Sequence, residues 1–129
     1  MTAPSNLQKS PIDTSTINTL IVESIQDKKG KKIVRLDLRH LSERPADYFI
    51  ICQGDSPTQI NAIVQHIYRE LKDKVSISPF HIEGYSSGTW SLLDYFDTVV
   101  HVFYPETRQL YNLESLWSDA VFEEFEELD

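Results

Sequence analysis

The chain has 129 residues, of which 40% are hydrophobic and 25% are charged, and its formal net charge at pH 7 is −8. This length fits one domain, and the composition is that of a globular protein rather than a disordered one. The longest apolar runs, residues 48–52 and 98–104, are too short to cross a bilayer. The N-terminal residues lack the apolar core of a secretion signal, so we expect a cytoplasmic protein.

Negative charge is concentrated in the second half of the chain. Residues 1–74 hold 11 Lys and Arg against 9 Asp and Glu, whereas residues 75–129 hold one basic residue, Arg108, against 11 acidic ones. The lysines at 28, 29, 31 and 32 follow a predicted helix end, where cations are common. Nucleic acid normally requires a larger basic cluster, so we expect little or no direct binding to it. An acidic, aromatic half favours a basic protein as partner.

Apolar spacing in the first half predicts one helix and then two strands. The helix is indicated by Ile17, Leu20, Ile21 and Ile25. Capping residues at 13–16 begin it and Gly30 ends it. Residues 33–39 alternate between apolar and charged side chains, which is typical of a strand with one wet face. Residues 47–53 are mostly apolar and are predicted to form a central strand covered on both faces.

The clearest local signal is the start of a second helix after a turn at Gly54. Ser56 is the predicted N-cap, a proline occupies the first helical position, and Gln59 completes a capping box. The apolar face of this helix extends to about residue 74.

The remaining chain predicts three strands and two helical segments. The strands span residues 80–85, 89–94 and 98–104, with a tight turn at 86–88. A brief helix then carries Arg108 and Tyr111, and Asn112 caps a last helix. The order of elements indicates a single α/β domain, with a mixed sheet of about five strands flanked by helices. We assign residues 13–120 to this domain, residues 1–12 to a flexible N-terminus and residues 121–129 to an acidic C-terminal tail.

No pattern in the sequence predicts a catalytic, metal or cofactor site. The four histidines lack the spacing of a zinc site. The single cysteine, Cys52, lies in an apolar strand and is interpreted as a small hydrophobic residue. Asp94 and Asp97 lie across a turn rather than two apart on one strand, as paired metal ligands would. They are interpreted as turn-forming acceptors, with partner contacts and then a catalytic role as the alternatives. Mid-strand His101 is interpreted as structural, with a functional contact as the alternative.

The two tryptophans have different predicted roles. Trp117 lies on an apolar stripe of the last helix and is assigned to the core. Trp90 alternates with Leu92 and Asp94, so its strand face ends in an acid and the indole is expected to be partly exposed. An exposed tryptophan beside acidic groups is typical of a residue that anchors a protein interface.

Several blocks of residues together resemble a known family. They are Asp47-Tyr48-Phe49, Glu83-Gly84, Trp90 with Leu93-Asp94-Tyr95, residues 99–103, and Arg108 followed by Tyr111, Leu113-Glu114, Leu116 and Trp117. At this spacing, over residues 17–120, the chain resembles the ribosomal silencing factor family, RsfS or Iojap. The resemblance implies a nucleotidyltransferase-like α/β fold without the transferase active site.

The resemblance also implies a function. Members of the family bind a ribosomal protein on the intersubunit face of the large ribosomal subunit, hinder joining of the small subunit and so lower translation. Carried over by position, the contact residues are Trp90, Leu93, Asp94, Tyr95, Asp97, Arg108, Tyr111 and Glu114. Phe96 departs from the family, which commonly has glycine there. The alternatives are an active nucleotidyltransferase-like enzyme and a dimeric adaptor for another basic protein, and a homodimer is compatible with the main interpretation.

Overall fold

The computed structural model describes residues 12–128, so residues 1–11 of the predicted flexible N-terminus lie outside the described part. Its elements in chain order are α1 Thr14–Asp27, β1 Lys31–Asp37, β2 Tyr48–Gln53, α2 Pro57–Val75, β3 His81–Tyr85, a 3₁₀ turn Ser86–Gly88, β4 Trp90–Asp94, β5 Thr98–Phe103, α3 Pro105–Tyr111, α4 Leu113–Leu116 and β6 Val121–Glu124. Within that range, no helix is both long and apolar enough to span a membrane.

The strands form one mixed sheet in the order β3-β4-β5-β2-β1-β6. The central pair, β2 and β5, is parallel, and every other neighbouring pair is antiparallel. The α/β class and the hairpin of β4 and β5 are therefore confirmed. The apolar strand β2 lies inside the sheet and is buried along almost its whole length, as predicted. The nucleotidyltransferase-like label stays a prediction.

The sheet has six strands where about five were predicted, because residues 121–124, assigned from the sequence to the acidic tail, form an edge strand. Strand β6 pairs antiparallel with β1. Its Glu123 carboxylate lies 2.6 Å from Nη2 of Arg35, and the Phe125 amide donates to the Ile33 carbonyl at 3.0 Å. Cross-strand ion pairing of this kind stabilises an edge that acidic composition alone would leave frayed.

The predicted cap of α2 is confirmed, with one difference in its geometry. The Ser56 Oγ accepts from the Gln59 amide at 3.1 Å. The Gln59 Oε1 accepts from the Asp55 amide at 2.7 Å, one residue earlier than a capping box predicts. Its Nε2 also donates to the Lys28 and Lys29 carbonyls, each at 3.1 Å. The cap therefore fixes the start of α2 against the turn that ends α1.

Helices α1 and α2 cover one face of the sheet and bury the larger core there. The fully buried side chains of this layer include Ile21, Ile25, Ile33, Ile50, Cys52, Ile63, Ile67, Leu71, Leu93, Val100 and Val102. Burial of this apolar surface is the main favourable contribution to folding. Among the described residues, the opposite face is covered by the segment that contains α3 and α4 and by the loop between β1 and β2, which contributes Leu38, Leu41 and Ala46.

A buried polar contact ties α1 to the sheet. Asn18 is almost fully buried on the inner side of α1, and its Nδ2 donates to the Thr98 Oγ1 at 2.8 Å. Its Oδ1 accepts from Nη1 of Arg35 at 3.3 Å. Asn18 thus satisfies polar groups of β5 and β1 at once, which matters because an unpaired buried polar group is costly.

We expect Asn18→Ala to lower the free energy of unfolding by about 1–3 kcal/mol, because it leaves Thr98 and Arg35 without this partner. Urea denaturation at neutral pH measures the change. Asn61→Ala, at an exposed position of α2, is the matched control and should change stability by less than about 0.5 kcal/mol. Equal losses in the two variants would contradict this role for Asn18.

Candidate functional site

The candidate site is the sheet face that points away from α1 and α2, called here the open face. Strand register places three rows of side chains on it: Tyr85, Trp90 and Phe103; Glu83, Leu92, His101 and Ile51; and His81, Asp94, Val99 and Phe49. Since alternate residues of a strand share a face, these rows follow directly from the pairing. The open face therefore carries one aromatic row, Tyr85, Trp90 and Phe103, and has carboxylates at Glu83 on β3 and at Asp94, the end of β4.

The segment after α3 and the loop between β1 and β2 cover part of the open face. Leu113, Trp117 and Ala120 pack against its buried residues, and the Trp117 ring meets the Phe49 ring edge-on at 6.1 Å. The core position predicted for Trp117 is confirmed, although α4 is a single turn that ends at Leu116 instead of the longer helix expected. Leu116 is exposed. The short cover leaves the Trp90 side of the open face partly accessible.

Trp90 is the centre of an aromatic cluster. Its ring centroid lies 5.1 Å from that of Phe103, 4.9 Å from Tyr85 and 4.6 Å from Tyr111. The indole is half-buried and Tyr111 is 45% exposed, so part of the cluster faces solvent as predicted for Trp90. Rings held by other rings lose little conformational freedom when a partner covers them, which favours their use as anchors.

His101 fixes the orientation of the Trp90 indole. The Trp90 Nε1–H donates to Nδ1 of His101 at 3.2 Å, so this nitrogen is an acceptor and a neutral ring carries its proton on Nε2. Burial lowers the pKa of His101 to about 4, so the ring is neutral near pH 7. Its Nε2 is buried and has no hydrogen-bond partner among residues 12–128. The histidine is therefore structural, as interpreted, but it also positions a candidate contact residue.

Arg108 holds the cover in place. Its Nε and Nη2 donate to Oε2 of Glu114 at 3.0 and 2.6 Å, while Nη1 donates to the Lys32 carbonyl at 2.7 Å. The Nη1 also lies 3.2 Å from Oε1 of Gln53. Only 12% of the Arg108 side chain is accessible. Arg108 and Glu114 were predicted as contacts, yet in this structure their charged groups link α3 and α4 to the sheet and position Tyr111.

Asp94 and Asp97 flank the turn between β4 and β5. The Asp94 Oδ1 accepts from the Phe96 amide at 2.8 Å, which is the turn-forming role considered from the sequence. The Asp97 carbonyl accepts from the Asp47 and Tyr48 amides at 2.9 and 3.0 Å, and this bonding ties the turn to the start of β2. The Asp97 side chain is exposed.

Two predicted contact residues need correction. Leu93 is fully buried, and Tyr95 is 8% exposed, because both point to the layer of α1 and α2. Period-two alternation along β4 puts Leu93 on the face opposite Trp90. Leu93 therefore has no exposed surface with which to contact a partner in this structure. Burial also raises the pKa of the Tyr95 hydroxyl. Both residues support the strand that carries Trp90 and Asp94.

Sequence reasoning missed several residues that the structure gathers around Trp90. Phe49, Phe103 and Tyr85 belong to three other strands, and only strand register shows that they share a face with the indole. The alternation of the apolar residues on each strand was visible in the sequence. The sequence could not supply the order of the strands, which puts Tyr85 and Phe103 in one row with Trp90 and puts Phe49 in another row of the same face.

The structure also gathers one set of potential metal ligands that spacing did not reveal. Asp27, His66 and Glu70 place one ligand atom each within 4.8 Å of one another. His66 Nε2 lies 3.0 Å from Oδ2 of Asp27, and the Lys74 ammonium lies 2.8 Å from the Glu70 carboxylate. The Lys74 hydrogen bond lowers the pKa of Glu70. The His66–Asp27 hydrogen bond therefore links α2 to α1, and the Lys74–Glu70 ion pair lies within α2, in the layer opposite the open face.

We expect the stability of the protein to fall as pH drops from about 6.5 towards about 4, in part through His101. Its pKa is 6.5 before burial and about 4 in the fold, so in this range the unfolded chain binds more protons. The slope from this one group reaches at most about 1.4 kcal/mol per pH unit. His101→Gln keeps an acceptor for Trp90 but does not titrate. Urea denaturation across this range should therefore show that the free energy of unfolding falls less steeply with pH in the variant than in the wild type. A difference in free energy that does not change with pH would contradict the burial of a neutral His101.

Comparisons with known proteins agree with the resemblance found in the sequence. A family model described as "Ribosomal silencing factor during starvation" matches residues 11–129, which include β6. The ribosomal silencing factor RsfS of Halalkalibacterium halodurans is 40% identical over 107 residues, which cover 83% of this chain and 90% of that protein. A mouse protein named "Mitochondrial assembly of ribosomal large subunit protein 1" is 35% identical over 83 residues, or 63% of this chain and 36% of that protein.

A solved structure of a similar sequence has the same fold. The crystal structure of a Chromobacterium violaceum protein superimposes with a TM-score of 0.77 at 34% identity, covering 83% of this chain and 88% of the other. The family match spans nearly the whole chain, and the bacterial relative exceeds 30% identity over most of its length. The chain therefore belongs to the ribosomal silencing factor family.

Proposed function

We propose that the open face binds a basic ribosomal protein on the intersubunit face of the large ribosomal subunit and thereby blocks joining of the small subunit. The observation that carries this proposal is the half-exposed aromatic cluster of Trp90 and Tyr111, held rigid by His101 and Phe103 and bordered by carboxylates. The direct contacts are Trp90, Asp94, Asp97 and Tyr111, while Arg108 and Glu114 hold the cover that carries Tyr111.

Silencing by this route is steric and involves no chemical turnover. Residues 75–129 carry 11 acidic residues against one basic residue. This excess of negative charge attracts a basic partner during encounter. Desolvated rings at the centre supply most of the affinity, and peripheral charges set register and the rate of encounter. The protein acts in the cytoplasm, where ribosomal subunits join.

We expect Trp90→Ala to weaken binding to purified large subunits by about thirtyfold, since truncating an interface anchor costs about 2 kcal/mol or more. Co-sedimentation at low salt measures the affinity, and binding should weaken as salt rises. Tyr68→Ala is the matched control, because Tyr68 is a half-buried aromatic residue in the opposite, helical layer. Equal affinities for the Trp90 and Tyr68 variants, or no binding of the wild type at low salt, would refute the proposed surface.

We further expect the wild type, added in excess to isolated subunits, to reduce the fraction of whole ribosomes in a sucrose gradient. The Trp90→Ala variant at the same concentration should leave more subunits joined, because occlusion requires occupancy of the large subunit. Undiminished joining at saturating wild-type protein would contradict steric blocking. Metal-dependent nucleotide turnover that is lost in Asp94→Ala would instead favour the enzymatic alternative.

A further inference from the structure

A second surface feature lies beside the open face, at the turn between β4 and β5. A cleft of about 540 Å³ opens there between this turn and the loop that precedes β2. Its lining includes Asp47, Phe80, Asp94, Phe96 and Asp97. Asp94 belongs both to the cleft and to the open face, so a partner that covers Trp90 lies next to the cleft.

The backbone at Phe96 is held in a conformation that a bulky residue rarely adopts. Its φ is +80°, which glycine takes freely and a large side chain does not. The turn is closed by the Tyr95 amide, which donates to the Thr98 carbonyl at 2.8 Å, and by the Asp94 carboxylate bonded to the Phe96 amide. Backbone strain costs free energy and clusters at functional sites, so it makes the Phe96 side chain a candidate contact residue.

The Phe96 ring serves no visible purpose in the core. It is 73% exposed, and neither buried cluster of residues 12–128 includes it. Its ring faces that of Phe80, which is 77% exposed, with centroids 6.0 Å apart and an interplanar angle of 60°. Two phenylalanine rings are thus presented to solvent as a pair, in an arrangement that leaves ring faces available.

The charge around this pair is negative. Asp47, Asp94 and Asp97 contribute three carboxylates to the cleft against one guanidinium, that of Arg44, whose Nε lies 2.9 Å from Oδ1 of Asp47. The Asp97 carboxylate makes no hydrogen bond or ion pair within residues 12–128. Free carboxylate beside exposed ring faces suits a planar cation, and it repels the phosphates of RNA.

We propose that this cleft binds an arginine side chain of a basic protein partner, with the guanidinium stacked on the Phe80–Phe96 pair and paired with Asp97. Arginine fits better than lysine because its flat, weakly hydrated group stacks on a ring while it donates to a carboxylate. In the cell the partner is the basic ribosomal protein proposed above, and to that extent the assignment rests on the proposed function.

The cleft is tested directly by titrating the protein with the peptide acetyl-Gly-Arg-Gly-amide while amide chemical shifts are followed by NMR. Shifts should concentrate on Phe80, Phe96 and Asp97, and the same peptide with citrulline should give much smaller ones, because it keeps the shape but loses the charge. Asp97→Asn and Phe96→Gly should each lower the affinity for the arginine peptide by about fivefold or more. Shifts that are scattered, or equal for both peptides, would overturn the proposal.

Phe96→Gly offers a second test in which folding and binding move in opposite directions. Glycine accepts a φ of +80°, so the melting temperature of the variant should be no lower than that of the wild type. Its affinity for large subunits should nevertheless fall by about fivefold to tenfold. Val121→Ala, at an exposed apolar residue of β6 that pairs with Asp37 and therefore lies on the sheet face opposite the open face, is the control and should bind like the wild type.

The two proposals fail in different ways. If Trp90→Ala weakens binding to large subunits and Phe96→Gly does not, the arginine cleft is overturned while the proposed function stands. If the wild type does not bind large subunits, the proposed function falls and the peptide titration alone decides the cleft.

Discussion

The parallel pairing of β2 with β5 is the constraint on which the rest of the structure depends. Both strands are buried along their length, so each must supply apolar side chains to two faces. One set, with Ile50, Val100 and Val102, packs under α1 and α2, whereas the alternate set puts Phe49, His101 and Phe103 on the open face. Because two helices already stabilise one face, the other can stay thinly covered and still keep its rings in fixed positions.

The hydrogen bond between Trp90 and His101 depends on this difference between the two faces of the sheet. A histidine deep in an apolar layer stays neutral, since burial lowers its pKa to about 4. Only the neutral ring can accept from the indole, so the environment that lowers the pKa also holds Trp90 in one orientation. The Phe103 ring also stacks on the Trp90 indole. The indole is therefore already ordered, and the binding of a proposed partner would cost little further conformational entropy.

Sequence patterns predicted the class of the fold, both long helices, the central strand β2 and the hairpin of β4 and β5, because each depends on local periodicity or turn chemistry. They failed at β6, since its pairing rests on a distant contact between Glu123 and Arg35. The family resemblance carried over Leu93 and Tyr95 as contact residues, but both are buried, and the alternation of β4 already put Leu93 on the face opposite Trp90. The grouping of Trp90, the acidic residues and Tyr111 was predictable as a list, but the role of Arg108 as a clamp required the position of Glu114 and the Lys32 carbonyl.

The fold buries several reactive side chains and leaves other kinds of group exposed. Burial raises the pKa of the Cys52 thiol to about 12 and keeps His101 neutral, while Arg108 is saturated by Glu114 and backbone. The Cys52 thiol, the His101 imidazole and the Arg108 guanidinium are thus committed to packing or to internal hydrogen bonds. Aromatic rings and carboxylates remain exposed, and these groups bind partners through area and charge. The proposed contact with a basic ribosomal protein relies on these exposed groups, and the family description, a ribosomal silencing factor, is compatible with it.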